Sequence, residues 1–473
     1  SQRERERVSE KKRVCVCLTM RVWVCVAAAW LLLLLGCNTA EAAYVPVYVM
    51  LPLDTVTSDN ELSNPDKLRS DLNTLKGGGV DGVMTDLWWG LVERTGPREY
   101  NFTAYQQLIG MVEDAGLKLQ VVMSFHQCGG NVNDACDIPL PPWVLAVGKS
   151  NPDIFYTDQN GHRDQEYLSL GVDHQPLFGG RTAVQLYSDM LHAFASNFST
   201  QLGKTITLLE VGMGPAGEMR YPSYQLSEWT FCGVGAFQCY DKYMLQSLQN
   251  AASKAGHPDW GKAGPNNAGS YNSMLNQAPF FEDNGYNNYE SDYGKFFLEW
   301  YSGALIQHGD DILAEARKAV GSKVEIAAKI AGIHWWYMTA SHPAELTAGY
   351  YNTRAHEGYG AIAAMLAKHD AEFDFTCMEM RDNEQPASCA CGPAELVDQT
   401  ENEAFSHNIG YGGENALPRY DTTAYQQIQS QSYRAGSKPI SSFTYLRLSD
   451  TLFQGQNWSN FCNFVQTMHN LNP

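Results

Sequence analysis

The chain has 473 residues, 44% of them hydrophobic and 18% charged, the composition of a globular protein with a sizeable core. Its formal net charge of −19 weighs against nucleic acid or an anionic membrane as a partner, since both would repel it. A neutral polymer such as a polysaccharide is compatible with that charge.

Residues 1–43 read as a leader. Arg3 to Arg13 is densely charged, and Met20 to Ala43 holds an apolar stretch of signal-peptide length ending in small residues at Ala40, Ala42 and Ala43. The pattern predicts entry into a secretory pathway, with an extracellular or vacuolar destination. A plastid address that begins with a signal-type sequence is the alternative, and a membrane anchor is the bland one. Sequons at Asn101, Asn197 and Asn457 agree with the secretory route. After removal of the leader, no stable membrane association is expected. Four of the twelve cysteines fall in the leader. The other eight are Cys128, Cys136, Cys232, Cys239, Cys377, Cys389, Cys391 and Cys462. An even number behind a leader permits disulfides, with the pairing left open. No cysteine or histidine spacing is of the zinc-binding kind, so neither a structural metal nor a cofactor is expected.

From Tyr44 onward, short apolar runs alternate with amphipathic helical patterns. The runs are Tyr44 to Leu53, GVDGVMTDLWW ending at Trp89, Leu117 to His126, Thr205 to Val211, Val324 to Trp336, Ala371 to Met380, Asn408 to Ala416 and Ile440 to Asp450. Between them, Leu68, Leu72 and Leu75 mark one helix face, and Tyr105, Leu108, Met111, Val112 and Ala115 another. Phe461, Phe464, Val465 and Met468 mark a last helix. Eight strands with helical crossovers predict an α/β fold, a (β/α)8 TIM barrel, as one domain over residues 44–473. Two long irregular insertions, Gly129 to Gly180 and Pro258 to Gly294, are expected on the C-terminal face.

In such a barrel the chemistry sits where strands end. The runs deliver Asp86, His126, Glu218, Lys329, His334, Thr376, Glu379, Glu414 and Arg447 to those ends. Gly212, Gly214 and Gly217 spell G-x-G-x-x-G, the spacing of a dinucleotide turn. That reading needs a helix starting on the glycines and an acidic residue about 20 positions on. Pro215 and Pro222 argue against the helix, and Asp241, the nearest acid, sits in a helical pattern. The glycines fit better as a close backbone approach that presents Glu218. Glu414 likewise follows Gly412 and Gly413. Two glutamates on glycine-lined strand ends suit glycoside hydrolysis, one protonating the leaving oxygen and the other activating water or attacking. The bland alternative makes each a salt-bridged loop residue, with Arg220 and Arg419 as partners. Trp88, Trp89, Trp335 and Trp336 read as packing rather than as sugar platforms.

VGMGPAGEMRYPSY, FHQCGGNVND, DGVMTDLWWG, IAGIHWW, FTCMEMRD, GENALPRYD and TYLRLSD resemble, in order and spacing, motifs of the plant-type β-amylases, glycoside hydrolase family 14. The resemblance spans nearly all of Tyr44 to Pro473. It implies an inverting exo-hydrolase that releases β-maltose from non-reducing ends of α-1,4-glucans such as starch or maltodextrin. A monomer is expected, with the oligomeric state left open by the sequence. The resemblance implies that Glu218 is the general acid and Glu414 the general base. Asp86 and His126 would contact the terminal glucose, and Asp134 lies in a stretch resembling the family's mobile lid. Lys329, His334 and Thr376 would contact substrate, Asn415 and Ala416 flank the base, and Arg447 completes the set. Lys329 is expected to lower the pKa of the base. Gly412 stands where the family more often has alanine, and is expected to loosen that strand end. The stretch ASCACGPAE, with Cys389 and Cys391, is idiosyncratic and suggests redox sensitivity. A catalytically silent glucan-binding or sensing protein on the same fold is the rival reading.

Overall fold

The computed structural model describes residues 42–129 and 136–473; the predicted leader, apart from Ala42 and Ala43, lies outside them. Each of the eight apolar runs contributes one strand to a closed parallel barrel: β1 (Val47–Met50), β2 (Gly82–Trp88), β3 (Lys118–Ser124), β6 (Ile206–Val211), β7 (Glu325–Ile330), β8 (Ala371–Phe375), β9 (Tyr411–Glu414) and β10 (Ser442–Tyr445). They follow one another around the barrel in chain order, and β10 closes it on β1 through Val47–Phe443 and Val49–Tyr445. Both faces of these strands are covered, which is why they read as near-continuous apolar runs.

The crossover helices bury the faces that the periodicity predicts. Pro65–Gly77 buries Leu68, Leu72 and Leu75, and Gly455–Met468 buries Phe461, Phe464, Val465 and Met468. The first begins at Asn64, whose side chain accepts from the Lys67 amide at 3.0 Å, with Pro65 in its first turn. Trp88, Trp89, Trp335 and Trp336 are all buried.

The first insertion is not wholly irregular. It holds an antiparallel hairpin, β4 (Phe155–Thr157) and β5 (Arg163–Leu168). Its second strand, RDQEYL, is too polar to show a strand pattern, and it is held by tertiary contacts. Cys128–Cys136 and Cys232–Cys389 form disulfides, while Cys239, Cys377, Cys391 and Cys462 are free thiols.

The G-x-G-x-x-G stretch forms a short turn, Pro215–Gly217, and no α-helix starts on it. A Cβ on Gly212 would stand 2.5 Å from the Met123 carbonyl oxygen, and one on Gly214 would stand 2.3 Å from that of Glu218. Gly217 has φ +76°. The glycines thus serve steric fit against β3 and within the loop itself. Asp241 is a helix cap, its carboxylate accepting from the Tyr243 and Met244 amides at 3.0 Å. The dinucleotide alternative fails on both requirements.

Candidate active site

Asp86, His126, Glu218, Lys329, His334, Thr376, Asn415, Ala416 and Arg447 all border one cleft of about 690 Å³ at the C-terminal ends of the strands. Glu414 ends β9 immediately before Asn415 and is buried beneath the cleft floor. Asp134 lies outside the described residues.

Glu218 stands three strands round the barrel from Glu414. Arg220 Nε donates to its Oε2 at 2.6 Å and the Tyr224 hydroxyl to the same oxygen at 3.4 Å. The guanidinium itself lies over the Tyr224 ring at 4.0 Å. The loop is pinned on two sides. Glu166 of the β5 hairpin accepts from the Ala216 amide at 2.7 Å, and the Met219 amide donates to the Lys329 carbonyl at 2.8 Å. β5 and β7 therefore hold the loop, and Arg220 and Tyr224 hold the carboxyl.

Lys329 joins the two glutamates. Its main chain grips the Glu218 loop, and its Nζ lies 2.7 Å from Glu414 Oε2. Glu210 Oε1 is 3.9 Å away on the other side. Burial works against the lysine charge, but Glu414 and Glu210 outweigh it and hold its pKa above the lysine range. Lys329 is thus first a partner of the barrel carboxylates, as well as a wall of the cleft. Arg419, the other partner weighed for Glu414, binds Asp421 and Glu384 instead.

The expected lowering of the Glu414 pKa is not what results. Burial raises it, Lys329 pulls it back, and the balance stays above the ordinary glutamate value. The Glu218 carboxyl is near enough for its charge to add to the rise. Beneath Glu414 lie further carboxyls, Glu210, Asp374 and Glu372, each raised by burial, Glu372 to about 7. Gly412 accommodates this layer. A Cβ there would stand 2.0 Å from Asp374 Oδ1. The glycine makes room for a buried acid, and β9 keeps its register with β8 and β10 around it.

The remaining groups form a polar wall. Asp86 accepts from the Ser124 hydroxyl through Oδ1 at 2.8 Å, leaving Oδ2 buried without a protein partner. His126 Nδ1 and His334 Nε2 are likewise buried without one. Burial, reinforced by Lys329 and Arg220, pushes the His126 pKa down to about 3, and burial lowers that of His334 too. Neutral imidazoles can donate and accept at once, which suits a neutral, hydroxyl-rich ligand. Such orphaned polar atoms in one cleft are the mark of a binding surface. Thr376 is partly committed, since its Oγ1 accepts from the Gly332 amide at 2.9 Å. Arg447 Nη1 reaches the Leu51 carbonyl at 3.5 Å. Burial raises the pKa of Asp86, and the Arg447 charge offsets part of that rise.

Asn415 borders the cleft and also braces the loop. Its Nδ2 donates to the carbonyls of Leu446 at 2.6 Å and Leu417 at 3.0 Å, and its Oδ1 accepts from the Leu446 amide. Ala416 contributes its amide to Glu379, whose carboxylate also takes the Leu417 amide. Glu379, buried on the loop after β8, holds the turn that follows Glu414. Replacing Glu379 with alanine strands both amides, at a cost of about 1–3 kcal/mol each where they stay buried. We expect a fall in both melting temperature and turnover, read by calorimetry and initial rates.

Glu166, Glu210, Asp374 and Tyr224 were not singled out by sequence reasoning. The inward acids had a signal. Glu210 is the one charge in TLLEV, and Glu372 and Asp374 alternate in AEFDF, the period of residues facing one side of a strand.

The family model for glycosyl hydrolase family 14 matches residues 48–472. A β-amylase of Glycine max is 51% identical over 436 residues, covering 90% of this chain and 87% of the relative. The chloroplastic β-amylase 1 of Arabidopsis thaliana is 50% identical, over 90% of this chain and 75% of its own length. The catalytic domain of a β-amylase from Paenibacillus polymyxa superposes with a TM-score of 0.75 at 31% identity, over 91% of this chain and all of that one. With the motifs, the barrel and the cleft in agreement with these matches, the chain belongs to glycosyl hydrolase family 14.

Proposed function

We propose that the protein is a β-amylase, an exo-acting hydrolase that removes β-maltose from the non-reducing ends of α-1,4-glucans with inversion. The observation that carries the reading is the pair Glu218, bordering the cleft, and Glu414, beneath its floor, linked through Lys329, in a chain half identical to named β-amylases. Glu218, open to the cleft, protonates the leaving glycosidic oxygen. Glu414, with Oε1 buried and unpaired, takes a proton from the attacking water. Asp86, His126 and His334 supply hydrogen bonds to sugar hydroxyls, and Arg220 and Tyr224 orient the acid. Water attacks the anomeric carbon from the face opposite the leaving group, so the new hydroxyl has the β configuration.

NMR or polarimetry of fresh product decides the stereochemistry. β-Maltose is expected first, and α-maltose as the initial anomer overturns the reading. Reducing-sugar release from soluble starch separates it from the rival of a silent glucan-binding protein. The wall residues described around the two glutamates support turnover.

The pH profile follows from Glu414. Its pKa lies above the ordinary glutamate value, so the acid limb should fall at a higher pH than for a free glutamate. Below that limb the base carries a proton and cannot accept another. A reaction that needs both an acid and a base gives a bell in initial rate against pH. A rate that stays flat from about pH 4 to about pH 9 contradicts the pair.

For the leader, a chloroplastic relative supports a plastid route beside the secretory one. Fractionation with N-terminal sequencing of the mature chain separates the two.

A further inference from the structure

The idiosyncratic stretch ASCACGPAE begins two residues after Gln385, which borders the cleft. Cys389 is bonded to Cys232, 157 residues earlier in the chain, with Cα atoms 5.9 Å apart. The bridge joins two different rim segments. One follows β6 and carries Phe231, the other follows β8 and carries Gln385, and both residues border the cleft. Phe231 is 44% exposed, one of few large apolar side chains so open among the described residues. Its ring leans on Trp335 and Trp229, with centroids at 5.9 and 6.1 Å.

Both segments are also moored to the end of the β7 run. Trp336 donates its amide to the Cys389 carbonyl and its indole Nε1 to the Cys232 carbonyl, each at 2.7 Å. Trp335 Nε1 donates to Gly233 at 3.0 Å, and the Gly392 amide to His334 at 3.0 Å. His334 and Trp335 themselves border the cleft. The disulfide is the covalent tie in a cluster otherwise held by hydrogen bonds and by ring contacts among Trp229, Phe231 and Trp335. A free thiol, Cys391, stands two residues from Cys389, and its Sγ contacts the Cys389 carbonyl at 3.8 Å. Burial pushes its pKa up to about 11, which disfavours the thiolate that an attack on the bridge requires.

We infer that the Cys232–Cys389 bridge positions the Phe231 rim of the cleft for glucan binding, and that its reduction by a dithiol loosens the grip on long α-1,4-glucans. The inference rests on the β-amylase reading. In the reduction, the Cys232–Cys389 bond breaks and each sulfur gains one electron and one proton. The dithiol gives up two of each and closes into its own disulfide. The cysteines are positioning residues. They touch neither glutamate, so the chemical step keeps its barrier while the rim loses its fixed geometry.

The test compares kcat and KM for maltotetraose and for a long maltodextrin. The proteins are the oxidised enzyme, the Cys232→Ser/Cys389→Ser double variant, and the enzyme after dithiothreitol, with reduced cysteines identified by alkylation and mass analysis. Assays run well below each protein's melting temperature. Loss of the bridge should raise KM for the long chain roughly three- to ten-fold, up to about 1.4 kcal/mol of binding, with less effect on maltotetraose and kcat within about two-fold. A Cys128→Ser/Cys136→Ser variant, which retains Cys232–Cys389, should still respond to dithiothreitol in this way. Unchanged KM, or a fall in kcat alone, overturns the inference. If the cysteine variants do not fold, the dithiothreitol arm on the native chain decides it. Calorimetric affinity for maltodextrin in Glu218→Gln, with and without reductant, reads the rim without turnover. An oxidised native enzyme that binds maltodextrin in a thiol-dependent way but hydrolyses nothing would sink the β-amylase reading and leave the rim inference standing.

Discussion

Replacing Glu218 or Glu414 with glutamine should each lower kcat on starch by about 10²- to 10⁴-fold, the usual contribution of a positioned acid or base. Glutamine keeps the shape of either side chain. In Glu218→Gln the amide can still receive the Arg220 and Tyr224 hydrogen bonds through its oxygen, yet it has no acidic proton to give. In Glu414→Gln the Lys329 contact at 2.7 Å can persist to the amide oxygen, yet the group cannot accept a proton from water. Binding should survive, because Asp86, His126 and His334 keep their buried polar atoms toward the sugar. Single-turnover rates and maltodextrin affinity, measured separately, check this. Near-normal turnover in a folded Glu218→Gln variant removes Glu218 from the role of acid.

What could be read from sequence was set by local pattern. The apolar runs gave the barrel because strands covered on both faces must be apolar along their length. The helix faces followed because their period repeats every turn. The glutamates stood out because glycine-rich loops place them at strand ends. The β5 hairpin was invisible: RDQEYL has no strand pattern, and its value lies in Glu166 reaching a loop 50 residues away. Asn415, expected to flank the base, borders the cleft, and its amide also bonds the Leu446 and Leu417 backbone, a brace that its place in the sequence does not show. Gly412 was read as a weak strand end, because the acid it makes room for, Asp374, belongs to the neighbouring strand. In each case the missing information is a contact distant in sequence, and composition or spacing carries no trace of it.

Lys329→Met should have the second largest effect, and its signature is in pH. Glu414 is pulled down by Lys329 and, more weakly, by Arg447, and is pushed up by burial and the Glu218 charge. Glu210 and Asp374 are also held up by burial and lowered by Lys329. Methionine fills similar space and removes the central cation. Glu414 then keeps its proton to a higher pH, so the acid limb of the rate moves upward and turnover near pH 5 falls further than at pH 7. Stability follows the same sign. A carboxyl whose folded pKa is raised stabilises the fold while protonated, below its unfolded value, and that contribution is lost as pH rises through the folded pKa. In the native enzyme Lys329 offsets this loss. Without it, Glu414 and Glu210 must ionise in the barrel interior without a contacting cation, a change that costs about 3–5 kcal/mol when one partner of a buried pair is removed. The melting temperature of Lys329→Met should therefore approach that of the native enzyme near pH 4 and fall away from it toward pH 8. A gap that stays constant across that range would mean that Lys329 supports the barrel by packing alone, and that Glu414 draws its charge balance from elsewhere.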